Sequence, residues 1–192
     1  MAKIWKYSEP VVLASASPRR KDLLAEICDD MTVLPSDVDE SAVVKPTPRA
    51  LVKALSALKA EWAAARKDCV GKTVIGADTV VYLRKTYGKP RDFDDAVAML
   101  TELSGKEHYV YTGVTVIRGG VKKTFSVRSA VTLKKMTREE IREYVVQYAP
   151  YDKAGAYAVQ EGVLVQTYRG SYTNIVGLPL ERLSEILRKS EV

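Results

Sequence analysis

Five charged side chains set the chemistry this chain can perform: Arg20, Glu40, Lys59, Asp78 and Lys89. Asp78 lies inside the apolar run Thr73 to Tyr82. Burying an unpaired carboxylate is costly, so Asp78 needs a cation, a metal ion or a hydrogen-bond network. Asp is also a poor strand former, which places it at a strand end or beside a cleft. Lys59 lies on the edge of an apolar helical stripe, one turn after Leu55. It either snorkels to solvent or points its charge into a cleft. Lys89 is presented by the turn Tyr87 to Pro90, where a solvated lysine is the plainer reading. Were the fold to bring them together, two carboxylates among cations would suit a polyanionic substrate with a hard, oxygen-ligated cation such as Mg²⁺ or Mn²⁺.

The stretch from Val11 to Leu24 must position much of this. Val11 to Ala14 is a short apolar run, read as a buried strand. Ser15, Ala16 and Ser17 are small enough for a ligand to approach the backbone. Ser17 is a suitable N-cap and Pro18 a suitable first helical residue. Leu23, Leu24 and Ile27 then share one face. Strand, small turn and helix start aim free N–H groups and the positive dipole end at one point. Arg19 and Arg20 in that first turn oppose the dipole unless an anion is present. A phosphate site explains them; a capped helix with two solvated arginines is the alternative.

The remaining elements interleave. Met31 to Pro35 reads as a strand, followed by the acidic turn Asp37 to Glu40. Thr47-Pro48 opens a helix to about Lys67, with Leu51, Leu55, Leu58 and Trp62 as its apolar stripe. Thr73 to Tyr82 is a central strand. Asp92 caps a helix to Leu103, stopped by Ser104-Gly105. His108 to Arg118 and about Val121 to Lys134 form a hairpin through Gly119-Gly120, with Thr112 in its first strand. Thr137 and Glu140 form a capping box for a helix to about Tyr148, with Ile141, Tyr144, Val145 and Tyr148 on one side and Pro150 ending it. The segment Tyr151 to Gln160 is rich in alanine and glycine, and Lys153 and Gln160 offer donors. Val163 to Tyr168 reads as a strand, Gly170 to Asn174 as a polar loop and Leu178 to Arg188 as the last helix. The class is α/β with a mixed sheet.

Composition bounds the rest. A chain of 192 residues, 46% apolar and 28% charged, suits one soluble globular domain. No apolar run reaches the roughly 20 residues of a membrane helix. The N-terminus lacks a long apolar core, so a cytoplasmic location is expected. Cys28 and Cys69, without a histidine cluster, support neither a disulfide framework nor a zinc site. The net charge of +6 fits an anionic partner. The basic residues are dispersed and no nucleic-acid motif accompanies them, so nucleic acid is not expected. The one histidine, His108, leaves little room for imidazole acid–base chemistry.

Eight segments in order resemble the Maf family of nucleoside triphosphate pyrophosphatases. They are Ser15 to Arg20, Ser36 to Glu40, Lys59-Ala60, Gly76 to Thr79, Gly88 to Pro90, Leu103 to Gly105 with His108 and Thr112, Asp152 to Tyr157 with Gln160, and Gly170 to Tyr172 with Asn174 and Val176 to Leu180. The resemblance covers about residues 11–180 of a single Maf-like domain taken as 1–192. It implies an elongated, two-lobed, ITPase-like α/β fold with a mixed twisted sheet, flanking helices and a central cleft, often in a homodimer. It implies hydrolysis of a nucleoside triphosphate to the monophosphate and diphosphate, using a divalent cation, with Asp78 as proton acceptor. Ser15, Arg20, Glu40, Lys59 and Lys89 match positions lining the same cleft. Arg19, Thr79 and Gln160 match the subgroup acting on dTTP and UTP rather than the one acting on 7-methyl-GTP. Glu40 and Asp78 would hold the metal, with Asp78 also the base; the reverse division between the two carboxylates stays open. The amide of Gln160 and the hydroxyl of Thr79 would read the pyrimidine base. Ala149 and Glu161 depart from the family pattern, where Glu and Gly are common. A nucleotide sensor or cell-division regulator without essential catalysis is the competing reading. The complete acidic and basic set favours the enzyme.

Overall fold

The computed structural model describes residues 5–189. In chain order the strands are β1 (Val11–Ala14), β2 (Met31–Val33), β3 (Thr73–Tyr82), β4 (Thr86–Tyr87), β5 (Glu107–Arg118), β6 (Val121–Leu133) and β7 (Val165–Arg169). The helices are α1 (Pro18–Ala25), α2 (Pro48–Ala64), α3 (Phe93–Leu103), α4 (Arg138–Tyr148), α5 (Tyr172–Val176) and α6 (Leu180–Arg188). One mixed sheet has the order β2-β1-β3-β5-β6-β7, with β4 also on β3. Its β2, β1 and β3 are parallel, and the later pairings are antiparallel. Among the described residues, no helix is long and apolar enough to cross a membrane.

The alternation of β3 decides what each neighbour sees. Ile75 and Ala77 face one side, where they join Leu13, Leu24, Leu178, Leu183 and Leu187 in a core under α1 and α6. Val74 faces the other side, with Val12, Ala60 and Ala63 beneath α2. Further along, Val81 enters a second core with Leu100, Leu103, Val110, Val131, Ile141 and Val145, built on α3 and α4. The two main cores thus occupy different stretches of one strand.

The helix α2 corrects the expected stripe. Its buried residues are Val52, Leu55, Ser56, Lys59, Ala60 and Ala63, whereas Leu51, Leu58 and Trp62 are only half-buried. The reason is close approach. A Cβ on Gly76 would lie 2.4 Å from the carbonyl oxygen of Ser56, and one on Gly113 would lie 2.2 Å from that of Val52. The helix rests directly on the sheet backbone, so its contact face must be small. It ends at Ala64, and a short 3-10 turn at Lys67–Cys69 follows.

Other boundaries also moved. The expected polar loop Gly170 to Asn174 runs instead into a helix, Tyr172–Val176, capped by Ser171. Ala149 turns the chain out of α4 with φ of 40°, one residue before Pro150. The expected caps of Thr47, Asp92 and Thr137 accept backbone N–H groups, and the Thr137 capping box is complete. Cys28 and Cys69 are free and buried.

Candidate active site

The site opens where β3 loses its neighbour. Along the edge away from β5, β1 pairs as far as Gly76, and β4 begins at Val81. Between them, among the described residues, that edge carries no strand. Asp78 and Thr79, which point to opposite faces, therefore both border one cleft of about 670 Å³. This volume suits a small-molecule ligand. The cleft lining includes Ser15, Arg19, Arg20, Glu40, Lys59, Asp78, Thr79 and Lys89, all expected site residues. Gln160 instead lines a smaller adjoining hollow of about 40 Å³, joined to the cleft through Arg19, Ala154 and Val176.

On the α2 face, Lys59 and Asp78 are buried, with Nζ 2.7 Å from Asp78 Oδ1. The same ammonium lies 3.0 Å from Glu40 Oε1, and Glu40 is exposed. Of the two readings of Lys59, the cleft is the one observed. The glycine contacts explain its placement: with α2 pressed onto Gly76, Lys59 lies against β3 within reach of Asp78, two residues on and on the same face. Burial raises the Asp78 carboxyl above its usual range, while Lys59 and Arg20 pull it back.

On the opposite face, Arg20 is spent on protein acceptors. It donates to the Gly177 carbonyl at 2.9 Å, to Ser15 Oγ at 2.9 Å and to Thr79 Oγ1 at 3.0 Å. Burial lowers its pKa, opposed by Asp78. Ser15 Oγ also accepts the Ser17 N–H at 3.3 Å, which leaves its own proton for the cleft. Ser17 holds the N-cap position of α1, but its side chain does not cap. Ala16, Ser17 and Pro18 line the cleft, so α1 begins at its wall.

Arg19 has found the anion its position demands. It makes a short bond to the Asp152 carboxylate and donates to the Asp152 carbonyl at 3.0 Å. Lys153 donates to the same carboxylate at 2.9 Å. Burial would raise Asp152, but hydrogen bonds from Lys153 and Arg19 hold it down to about 2. Glu161 accepts a short bond from the Tyr144 hydroxyl and lies 3.8 Å from Lys153. The departure at Glu161 thus places a carboxylate beside Lys153. Sequence reasoning missed Asp152 as a partner of Arg19; its place beside Lys153 in a small-residue segment was the available signal.

Lys89 and Gln160 are exposed at the margins. His108 is buried, its Nε2 2.7 Å from the Tyr157 hydroxyl, and burial lowers it to about 4. It takes no part in the cleft. Among the described residues, no group of three or more His, Cys, Asp or Glu side chains is arranged to hold a metal ion. Glu40 and Asp78 still fit the Mg²⁺ pattern, in which one or two carboxylates act together with substrate phosphates and water.

Fold and site together define a mixed-sheet α/β protein whose cleft gathers cations around a buried carboxylate. The family described as Maf-like protein matches residues 10–190, and this chain belongs to that family. A protein of Syntrophus aciditrophicus (strain SB) named dTTP/UTP pyrophosphatase is 46% identical over 187 residues, covering 94% of this chain and 90% of the relative. One of Thermosipho africanus (strain TCF52B) with the same name is 44% identical over 180 residues, covering 92% and 91%. A solved structure, the Staphylococcus aureus Ham1 protein, aligns at 17% identity with a TM-score of 0.47, over 65% of this chain and 72% of that one.

Proposed function

We propose that this protein is a nucleoside triphosphate pyrophosphatase that hydrolyses dTTP and UTP to the monophosphate and diphosphate. The observation that carries this is the Lys59–Asp78 pair, buried in a cleft that also holds Arg20 and Lys89. The names of relatives 46% and 44% identical support the reaction and the substrates.

The triphosphate, with about four negative charges near neutral pH, lies along the cleft. Ser15 donates its free proton to a phosphate oxygen, and the first turn of α1 adds backbone donors. Arg20 and Lys89 neutralise charge that grows on the departing diphosphate. Asp78 accepts a proton from the attacking water as the bond between the α and β phosphates breaks. Its raised pKa makes it a stronger base than an exposed Asp. Lys59 holds the Asp78 carboxylate in place and stabilises its charge. Glu40 and Asp78 would hold Mg²⁺ or Mn²⁺, which supplies charge neutralisation and water activation when bound. Gln160, in the adjoining hollow, and Thr79 and Arg19, on the cleft wall beside it, select the base. Action as a homodimer in the cytoplasm completes the proposal.

The test is diphosphate release from dTTP, UTP, CTP, purine triphosphates and 7-methyl-GTP with Mg²⁺ or Mn²⁺, beside Asp78→Asn. Selective cleavage of dTTP and UTP, lost in the variant while nucleotide still binds, is expected. Cleavage of 7-methyl-GTP instead overturns the base assignment. Nucleotide binding without cleavage of any substrate moves the regulatory reading to first place.

A further inference from the structure

Thr112 and Asn174 have no role in the chemistry above, yet both are fully buried beside it. Thr112 pairs directly opposite Thr79 in the β3–β5 ladder. Its hydroxyl donates to the backbone carbonyl of Asn174 at 2.9 Å. Its oxygen lies 3.0 Å from that of Thr79. Because the one proton of Thr112 goes to Asn174, the shared bond must use the proton of Thr79. Thr79 also accepts from Arg20 at 3.0 Å. Its proton and one lone pair are therefore committed, and one lone pair remains for the cleft.

We propose that Thr112 is a positioning residue for base selection. By drawing the Thr79 proton inward, it makes Thr79 an acceptor only towards the ligand. Uracil and thymine present an N–H at ring position 3, which such an acceptor takes. Cytosine presents a bare ring nitrogen there, which meets lone pair against lone pair. The anchor is rigid: Asn174 donates its side-chain amide to the Val110 carbonyl at 3.2 Å and to Ser129 Oγ at 2.9 Å. Ser15 is wired the opposite way. Both its recorded bonds use its oxygen as acceptor, so it offers the cleft a proton, as a phosphate oxygen requires. The inference rests on the pyrimidine pyrophosphatase reading and on Thr79 meeting the base.

The experiment compares kcat/KM for dTTP and dCTP in the wild type, Thr112→Val, Thr112→Ser and Thr79→Val, and in the double Val variant. In Thr112→Val the Thr79 proton is released and turns to the cleft. The dTTP to dCTP ratio is expected to fall about tenfold, as for one hydrogen bond. Thr112→Ser keeps the hydroxyl and restores the ratio. Adding Thr112→Val to Thr79→Val changes the ratio no further, because Thr112 acts through Thr79. A general loosening of the fold raises KM for both nucleotides and leaves the ratio alone. An unchanged ratio in Thr112→Val, an equal fall in Thr112→Ser, or a further fall in the double variant overturns the inference. Should Thr112→Val lack a cooperative melting transition, Thr112→Ala removes the same hydroxyl and is judged by the same ratio. A wild type that cleaves no triphosphate brings down the underlying reading, and the inference falls with it.

Discussion

Replacing Gly76 by Ala tests whether α2 places the site. The new Cβ would stand 2.4 Å from the Ser56 carbonyl oxygen, 2.7 Å from the Ala60 nitrogen and 2.9 Å from the Ala60 Cβ. Two of these three atoms are backbone, so no side-chain rotation relieves the clash. Ordinary contact begins at 3.4 Å, and the helix must withdraw by about 1 Å in a core that packs without slack. Lys59 sits between Ser56 and Ala60 in sequence and moves with them. Its 2.7 Å bond to Asp78 then stretches past hydrogen-bond range. A misplacement of that size costs about 100-fold in rate. The overpacking itself costs about 2 kcal/mol, a fall in Tm of about 6 °C for a chain of this length. The assay is kcat for diphosphate release with a thermal melt on the same preparation. A folded Gly76→Ala protein with wild-type kcat and Tm would refute the claim that helix–sheet contact sets the Lys59–Asp78 geometry.

Further outcomes follow from the charges. Asp78 acts only when ionised and its pKa is raised, so kcat/KM should decline as pH falls through a value above the ordinary carboxylate 3.8. Lys59→Met removes a charge that lowers that pKa and should move the acid limb to higher pH; a pH–rate profile measures both. Glu40→Gln should raise the Mg²⁺ concentration needed for half-maximal rate about tenfold, the worth of one charged contact. Titration of activity with Mg²⁺ after chelation reads it directly, and an unchanged requirement removes Glu40 from the metal.

Strands β1 and β3 were legible to the residue, because Val11–Ala14 and Thr73–Tyr82 are apolar runs bounded by turn residues. The face of α2 was not. Counting large apolar residues picked out Leu58 and Trp62, while the true contact face is made small by glycines that lie far along the chain in Gly76 and Gly113. The five-residue α5 is too short for a helical periodicity to be recognised in it. Asp78 was readable as a charge out of place in a strand. Its partner Lys59 left two readings open, since the pairing spans 19 positions. The Thr79–Thr112–Asn174 chain, whose two links span 33 and 62 positions, leaves no local trace.

The seating of α2 on Gly76 and Gly113 also divides the cleft into parts of unequal freedom. Lys59 and Asp78 belong to one solid layer, in which neither can shift without lifting a helix off a sheet. Glu40, Lys89 and Asp152 sit on connecting segments outside that layer. Accommodation of ligands of different length or charge therefore falls to the rim, while the base and its cation are packed between helix and sheet. Changes aimed at the length or charge of the accepted ligand, as distinct from its base, belong in those connecting segments, where they leave the Lys59–Asp78 pair untouched.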